Sequence, residues 1–315
     1  MEVYRNQEKR KVVSLIDKGW FNNDPGDGVF GDSNYKFILK NSDNNFYPPI
    51  LRDAKEYFKY NNISWWKGSE ATGHALSSQI ACINHLYPIR YDKEAVLAVL
   101  SSFSNNFTDV IQIITDRYRP AYISFEQVSD TDHLNEGKPT RGSICTSIDA
   151  FIYAIHKDGS KWIIPIEWKY TESYGDIDKS HGPSGESRRT RYDELIYKSS
   201  QLIYDKLLSN KNTYYYEPFY QLMRQTLWAE QMISHNNTET ISADNFLHLN
   251  VIPPKNIDLL EKRYACSKND MPVTWRSCIA DQSKYKIIPP EILLRNLGSK
   301  YYKLKQYLLE RYWKD

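Results

Sequence analysis

Two runs near the middle of the chain alternate in the manner of β-strands. In residues 161–170, KWIIPIEWKY, period-two alternation sends Ile164, Ile166, Trp168 and Tyr170 to one face and Ile163, Pro165, Glu167 and Lys169 to the other. Residues 147–156, SIDAFIYAIH, read the same way. The link between them, Lys157-Asp158-Gly159-Ser160, is a hairpin signal, because Asp-Gly tolerates the positive φ that tight β-turns need. Loop length then sets what faces what. A two-residue loop at Asp158-Gly159 places Asp149 opposite Trp168, on the wrong face. A three-residue loop, 157–159 with Gly159 left-handed, places Asp149 across from Glu167. Pro165 lacks the N–H of a central strand and is tolerable near a strand's start or at a bulge.

Helical spacing dominates elsewhere. A helix is predicted at the N-terminus and another over 51–60. From Ser69 the chain reads as a helix with Leu76, Ile80, Ile83 and Leu86 on one face, ending at Pro88, with His74 and His85 as structural residues. Residues 94–103 are helical, and 107–115 fit helix or strand. Residues 122–128, YISFEQV, read as the first core strand, and 246–252, FLHLNVI, as the fourth. Helices are expected over 190–208 and 217–234, the latter with Gln221, Arg224 and Gln225 on polar faces. The tail, 290–315, reads as one amphipathic helix with Leu293, Leu297, Tyr301, Leu304 and Leu308 in its apolar line and Lys300, Lys303, Lys305 and Arg311 among its polar positions. The NNDPGDGVFGDSN segment is expected to be an irregular loop, and Trp65-Trp66 an apolar anchor.

Composition narrows the class without naming it. At 315 residues and 41% hydrophobic content, the chain can bury a sizeable core. With 41 Lys and Arg against 39 Asp and Glu, the net charge of +2 gives no bulk attraction to nucleic acid, so any basic surface is local. The 25 Tyr and eight Trp supply core and half-buried surface, and suit base stacking as well. Cys82, Cys145, Cys266 and Cys278 lack zinc-site spacing and fit free thiols. No apolar run approaches the roughly 20 residues that span a bilayer, and no signal-peptide core is present. A soluble cytoplasmic protein is expected. Phosphate-loop, dinucleotide and serine-elbow motifs are absent, which leaves ATP-driven, redox and serine-hydrolase readings without support.

The chemistry follows from the hairpin register. Cross-strand neighbours on one face have Cβ atoms roughly 4.5–5.5 Å apart, so Asp149 opposite Glu167 is destabilising unless a cation or a proton lies between them. Two carboxylates with waters and phosphate oxygens suit Mg²⁺. Lys169 beside Glu167 adds positive charge where negative charge grows in a transition state. Glu126, on the first core strand, either joins this cluster or is a salt-bridged edge carboxylate.

Asp149 followed by Glu167-Trp168-Lys169 resembles the PD-(D/E)XK nuclease superfamily, the restriction-endonuclease-like fold, over residues 122–251. Residues 77–88, SSQIACINHLYP, and 220–232, YQLMRQTLWAEQM, are similar to bacterial restriction endonucleases. Ile148 stands where many members have proline. The resemblance implies an α/β fold with a central mixed sheet, αβββαβ in order, flanked by helices and extended by N- and C-terminal helices. A nuclease core over 121–255 lies between an N-terminal region, 1–120, that supplies the first core helix and a C-terminal extension, 256–315.

The resemblance also implies catalytic Asp149, Glu167 and Lys169, with metal held by Asp149, Glu167 and the Trp168 carbonyl. Glu70 on the helix before the sheet, and Gln201 with Tyr204 on the helix after it, are auxiliary candidates on the same ground. Arg141, Arg188, Arg189, Arg191 and Arg224 are candidate phosphate contacts. The activity expected is Mg²⁺-dependent endonucleolytic cleavage of double-stranded DNA, with Mn²⁺ able to substitute, by a homodimer suited to cutting both strands. A repair, recombination or mobile-element nuclease and a non-catalytic DNA-binding protein are the alternatives.

Overall fold

The hairpin of residues 147–170 forms the centre of the sheet in the computed structural model, which describes residues 3–66, 68–115, 118–143, 145–208 and 212–314. In chain order come helix α1 (Val3–Asp17), a small hairpin of β1 (Gly28–Phe30) and β2 (Ser33–Tyr35), and helices α2 (Leu51–Tyr60), α3 (Ser78–Leu86) and α4 (Lys93–Ser101). Strands β3 (Phe107–Ile111), β4 (Ile123–Gln127), β5 (Ile148–His156) and β6 (Lys161–Trp168) follow. Next are helices α5 (Gly182–Lys198), α6 (Asp205–Leu208) and α7 (Phe219–Ser234), and strands β7 (Asn245–Phe246) and β8 (His248–Val251). The chain continues through α8 (Ile257–Leu260), α9 (Met271–Arg276), β9 (Tyr285–Ile288), α10 (Pro290–Leu293) and α11 (Tyr302–Leu308).

The hairpin takes the three-residue loop. His156 N–H donates to Ser160 C=O and Gly159 N–H to His156 C=O, each at 2.9 Å, and Gly159 has φ +87°. Pairing runs from Ile155 with Lys161 to Ala150 with Ile166, so one further step sets Asp149 opposite Glu167. The sheet is seven-stranded and mixed. β3 and β4 lie end to end along one edge of β5, both antiparallel to it. β7 and β8 run parallel to β6 on its other edge, and β9 runs parallel to β8.

Pro165 accounts for the split between β7 and β8. Leu247 N–H donates to Ile163 C=O at 3.0 Å. In a parallel ladder the return bond to Leu247 C=O comes from the N–H of residue 165, which proline lacks. The partner strand is therefore interrupted at Leu247, and pairing resumes where Ile166 meets Leu249.

Helices cover both faces of the sheet, which is why β5 and β6 are apolar on both. On one face Ala150, Ile152, Ile164, Ile166 and Trp168 pack with Ile80 and Ile83 of α3, Val96 and Val99 of α4, and Leu304 and Leu308 of α11. On the other, Phe151, Tyr153 and Ile163 pack with Ile196 of α5 and with Met223 and Leu227 of α7. Asp149 and Glu167 belong to this second face, so α7 lies over the pair. No helix among the described residues is long and apolar enough to cross a membrane.

Several elements differ from the sequence reading. The helix expected from Ser69 begins at Ser78, with Ser77 as its N-cap. The preceding residues are held extended, because Leu39 N–H donates to Gly73 C=O at 2.8 Å and Asn45 donates to the carbonyls of Thr72 and His74. The helix expected over 190–208 instead starts at Gly182 and stops at Lys198, leaving α6 as a single turn. There the Glu230 carboxylate accepts from the N–H groups of Ser200 and Gln201, which satisfies them outside a helix. The tail is broken between α10 and α11, where Lys305 Nζ caps the carbonyls of Arg295 and Leu297, and Asp315 lies outside the described residues. Arg311 is buried against Tyr307 and Tyr312 and is not part of a basic surface. Strand β9 and the β1–β2 hairpin were not anticipated; the latter lies in the segment read as irregular.

Two glycines separate conformational from steric requirements. Gly159 has positive φ with open space around it, whereas a Cβ on Gly73 would sit 2.2 Å from the Leu39 carbonyl oxygen. Gly159→Ala is expected to cost about 1 kcal/mol through strain alone. Gly73→Ala is expected to cost more, about 2–4 kcal/mol, because backbone must move. Urea unfolding midpoints measure both, and equal midpoints for the two variants would contradict the distinction.

Candidate active site

Three strand ends place acidic groups at one end of the sheet, where β4 finishes, β5 begins and β6 finishes. A cleft of about 530 Å³ opens there, lined by Glu126, Asp149, Glu167 and Lys169 together with residues of α3 and α7. Glu167 and Lys169 are 4% and 6% exposed, and Asp149 is half-buried. Lys169 Nζ lies 2.5 Å from Glu167 Oε1. Trp168 N–H donates to Asp149 Oδ2 at 2.8 Å. In an extended strand a residue's N–H and C=O point to the same side, so the Trp168 carbonyl is directed toward the Asp149 side as well.

Helix α7 holds the other ends of these side chains. Gln221 and Gln225, one turn apart, share a helix face. Gln221 Oε1 accepts from Lys169 Nζ, and Gln225 Nε2 donates to Glu167 Oε2. Lys169 Nζ also lies 5.6 Å from the Tyr174 ring centroid. The cation is fixed from three directions, by Glu167, Gln221 and Tyr174.

Glu126 joins the cluster through an irregular backbone. Phe125 pairs with Ala150 and Gln127 with Ile148, but Glu126 between them has φ +50°, in the left-handed region. Arg141 supports this bend, with Nε donating to Glu126 C=O at 3.1 Å and Nη2 to Phe125 C=O and to Tyr57 Oη. The Glu126 carboxylate accepts from Gln79 Nε2 at 2.8 Å and from Ser147 Oγ at 2.6 Å.

Burial drives the electrostatics. It raises Asp149 well above the ordinary carboxylate value; Glu167 and Glu126 add to the rise, and Lys169 and the Trp168 N–H oppose it. Burial likewise raises Glu126, against the hydrogen bonds from Ser147 and Gln79. For Lys169, burial alone would lower the ammonium, but the Glu167 charge and its neighbours outweigh it and hold Lys169 well above its ordinary value. Lys169 is thus a fixed cation at neutral pH. Cys82, buried beneath the cluster, is held as a neutral thiol by burial and by the same carboxylates.

The carboxylate oxygens of Asp149 and Glu167 in the cleft suit a hard divalent cation, which prefers oxygen ligands. Among the described residues no group of three or more His, Cys, Asp and Glu is placed to hold a metal ion by itself. An ion held by Asp149 and Glu167 would therefore draw further ligands from water or substrate, as Mg²⁺ does.

The other sequence candidates fall elsewhere. Glu70 has a 78% exposed side chain 3.9 Å from Lys55 and does not line the cleft, because the helix meant to carry it starts at Ser78. Gln201 lies past the end of α5 and bonds the backbone of Asp281 through both amide atoms, and Tyr204 packs on Tyr197. Of the five arginines, only Arg224 reaches the cleft wall, and it is paired with Glu136 at 3.0 Å. Arg188 donates to Lys179 C=O at 2.8 Å, and Arg189 and Arg191 are half-buried on α5 away from the cleft. Gln79, Ser147, Gln221 and Gln225 were missed as site residues. The signal available for the two α7 glutamines was their four-residue spacing within an otherwise apolar helix.

No curated protein and no solved structure matches the chain. Residues 14–313, nearly its whole length, fit the family model described as REase-ARP, restriction endonuclease associating with ARP, and the protein belongs to that family.

Proposed function

We propose that the protein is a Mg²⁺-dependent endonuclease that hydrolyses phosphodiester bonds of double-stranded DNA, in the manner of restriction enzymes, on an αβββαβ core. The observation that carries this reading is the convergence of Asp149, Glu167 and Lys169 in one cleft, on a chain whose family is restriction-endonuclease-like. Asp149 and Glu167, with the Trp168 carbonyl, would hold the ion. A bound Mg²⁺ supplies Lewis acidity and lowers the pKa of a coordinated water.

The chain's own groups do the rest. Lys169, kept charged by Glu167 and aimed by Gln221, donates hydrogen bonds to the scissile phosphate or to the attacking water and neutralises charge as it develops. Its raised pKa excludes it as a general base at neutral pH. Gln225 keeps Glu167 from rotating away from the cleft. Glu126 adds negative charge beside Asp149 and strengthens the demand for a cation. A homodimer would present two such clefts to the two strands of a symmetric site.

The direct test is incubation with supercoiled plasmid in Mg²⁺ or Mn²⁺, with and without EDTA. Nicked or linear product that disappears with EDTA is expected, and intact plasmid in both metals would overturn the reading. Lys169→Ala should slow cleavage by about 10²–10³-fold, with duplex affinity in Ca²⁺ nearly unchanged. Equal cleavage by the variant would remove Lys169 from the mechanism.

A stability measurement follows from Asp149. A carboxyl whose folded pKa is raised destabilises the metal-free fold above that value, and the penalty fades as pH falls toward the ordinary value of 3.8. Asp149→Asn in EDTA is therefore expected to raise the melting temperature at pH 7, by an amount that shrinks as the solution is acidified. A variant no more stable than wild type at pH 7 would contradict the assigned electrostatics.

A further inference from the structure

The dipeptide Trp65-Trp66 splits into two roles. Trp65 is 6% exposed and stacks on Phe58 with ring centroids 3.8 Å apart, anchoring a tight turn closed by Gly68 N–H to Trp65 C=O at 3.2 Å. Trp66, on that turn, is 41% exposed and forms part of the wall of the cleft that contains Glu126, Asp149 and Glu167. Exposed Tyr60, Tyr197 and Tyr302 lie outside the cleft, so surface aromatics as such do not explain its position.

Trp66 is also held in a fixed relation to the carboxylates. Its N–H donates to Gln79 Oε1 at 3.0 Å, and Gln79 Nε2 donates to Glu126 Oε1 at 2.8 Å. One glutamine side chain therefore spans from the backbone of the aromatic residue to the acidic cluster. The indole is backed by Phe30 of β1, with centroids 5.4 Å apart and planes at 23°, and His74 meets it edge-on at 5.7 Å. This is a pre-packed aromatic stack with its backbone pinned, which lowers the entropy lost when something stacks against it.

We infer that Trp66, supported by Phe30, is a stacking platform for a nucleobase of the substrate next to the scissile phosphate; this rests on the nuclease reading of the same cleft. Bases are the flat aromatic groups of a nucleic acid, and stacking on an aromatic side chain tolerates any of them. The platform positions substrate and does not touch the reacting atoms. A base that leaves the duplex stack to reach it does so most readily at a mismatch, where unstacking is least costly.

The test uses a fluorescein-labelled duplex spanning a position that the wild-type protein cuts in plasmid, with Ca²⁺ in place of Mg²⁺. Leu keeps apolar bulk against Phe30 but has no π-face. W66L is expected to bind about tenfold more weakly and W66F within about twofold of wild type. Replacing the bases beside the cut with abasic residues should erase the gap between W66L and wild type, and a mismatch there should tighten binding for wild type and not for W66L. Melting temperatures of both variants exclude a folding defect. If wild type binds and cuts while W66L binds equally well, or W66F is as weak as W66L, the platform is wrong and the nuclease reading stands. If wild type neither binds nor cuts, the nuclease reading fails and the platform with it.

Discussion

Two carboxylates facing each other across an antiparallel strand pair, in the wall of one cleft, set the terms for the rest of the molecule. The hairpin loop fixes that opposition: Gly159 with φ +87° allows the three-residue connection, and the resulting register puts Asp149 opposite Glu167. Glu126 adds a third acidic group from the neighbouring strand, and Lys169 is the ammonium among them. Burial pushes Asp149 and Glu126 upward, so at neutral pH the metal-free fold carries an electrostatic cost that a divalent ion would relieve.

The surrounding elements hold these charged groups in place and do not neutralise them. Helix α7 grips Glu167 and Lys169 through Gln225 and Gln221, and the region at the start of α3 grips Glu126 through Gln79. Arg141, which from sequence was a candidate for phosphate, instead supports the left-handed backbone at Glu126. Arg224 is likewise committed to Glu136, which also accepts from Thr146 and Tyr192. Two expected DNA contacts are thus internal struts, and Lys169 is the cation paired with the Glu167 carboxylate, while Arg5 of α1 also lines the cleft.

What could be read from sequence was the part governed by local rules. Period-two alternation and an Asp-Gly turn located β5, β6 and their register, and the 51–60 helix matched in both bounds. What could not be read was set by tertiary pairing. Residues 69–77 look helical, yet pairing of Gly73 with Leu39 and the Asn45 side chain hold them extended, which removes Glu70 from the cleft. Gln201 carried the expected residue type on the wrong segment, because Glu230 ends α5 before it, while the glutamines that reach the site stand on α7. The positive φ of Glu126 has no sequence signature, since that conformation is unusual for a glutamate and is supported by Arg141 from the connection between β4 and β5.

The account turns on whether the opposed carboxylates take up a cation. Isothermal titration of the DNA-free protein with Mn²⁺, in two buffers of different ionisation enthalpy, measures both binding and the protons released with it. Binding is expected for wild type, with proton release that grows as the solution is acidified, because a bound cation displaces into the buffer the proton that the raised Asp149 carboxyl takes up, and it should be lost in Asp149→Asn and Glu167→Gln. Absence of binding to wild type, or binding that survives both substitutions, would contradict the account.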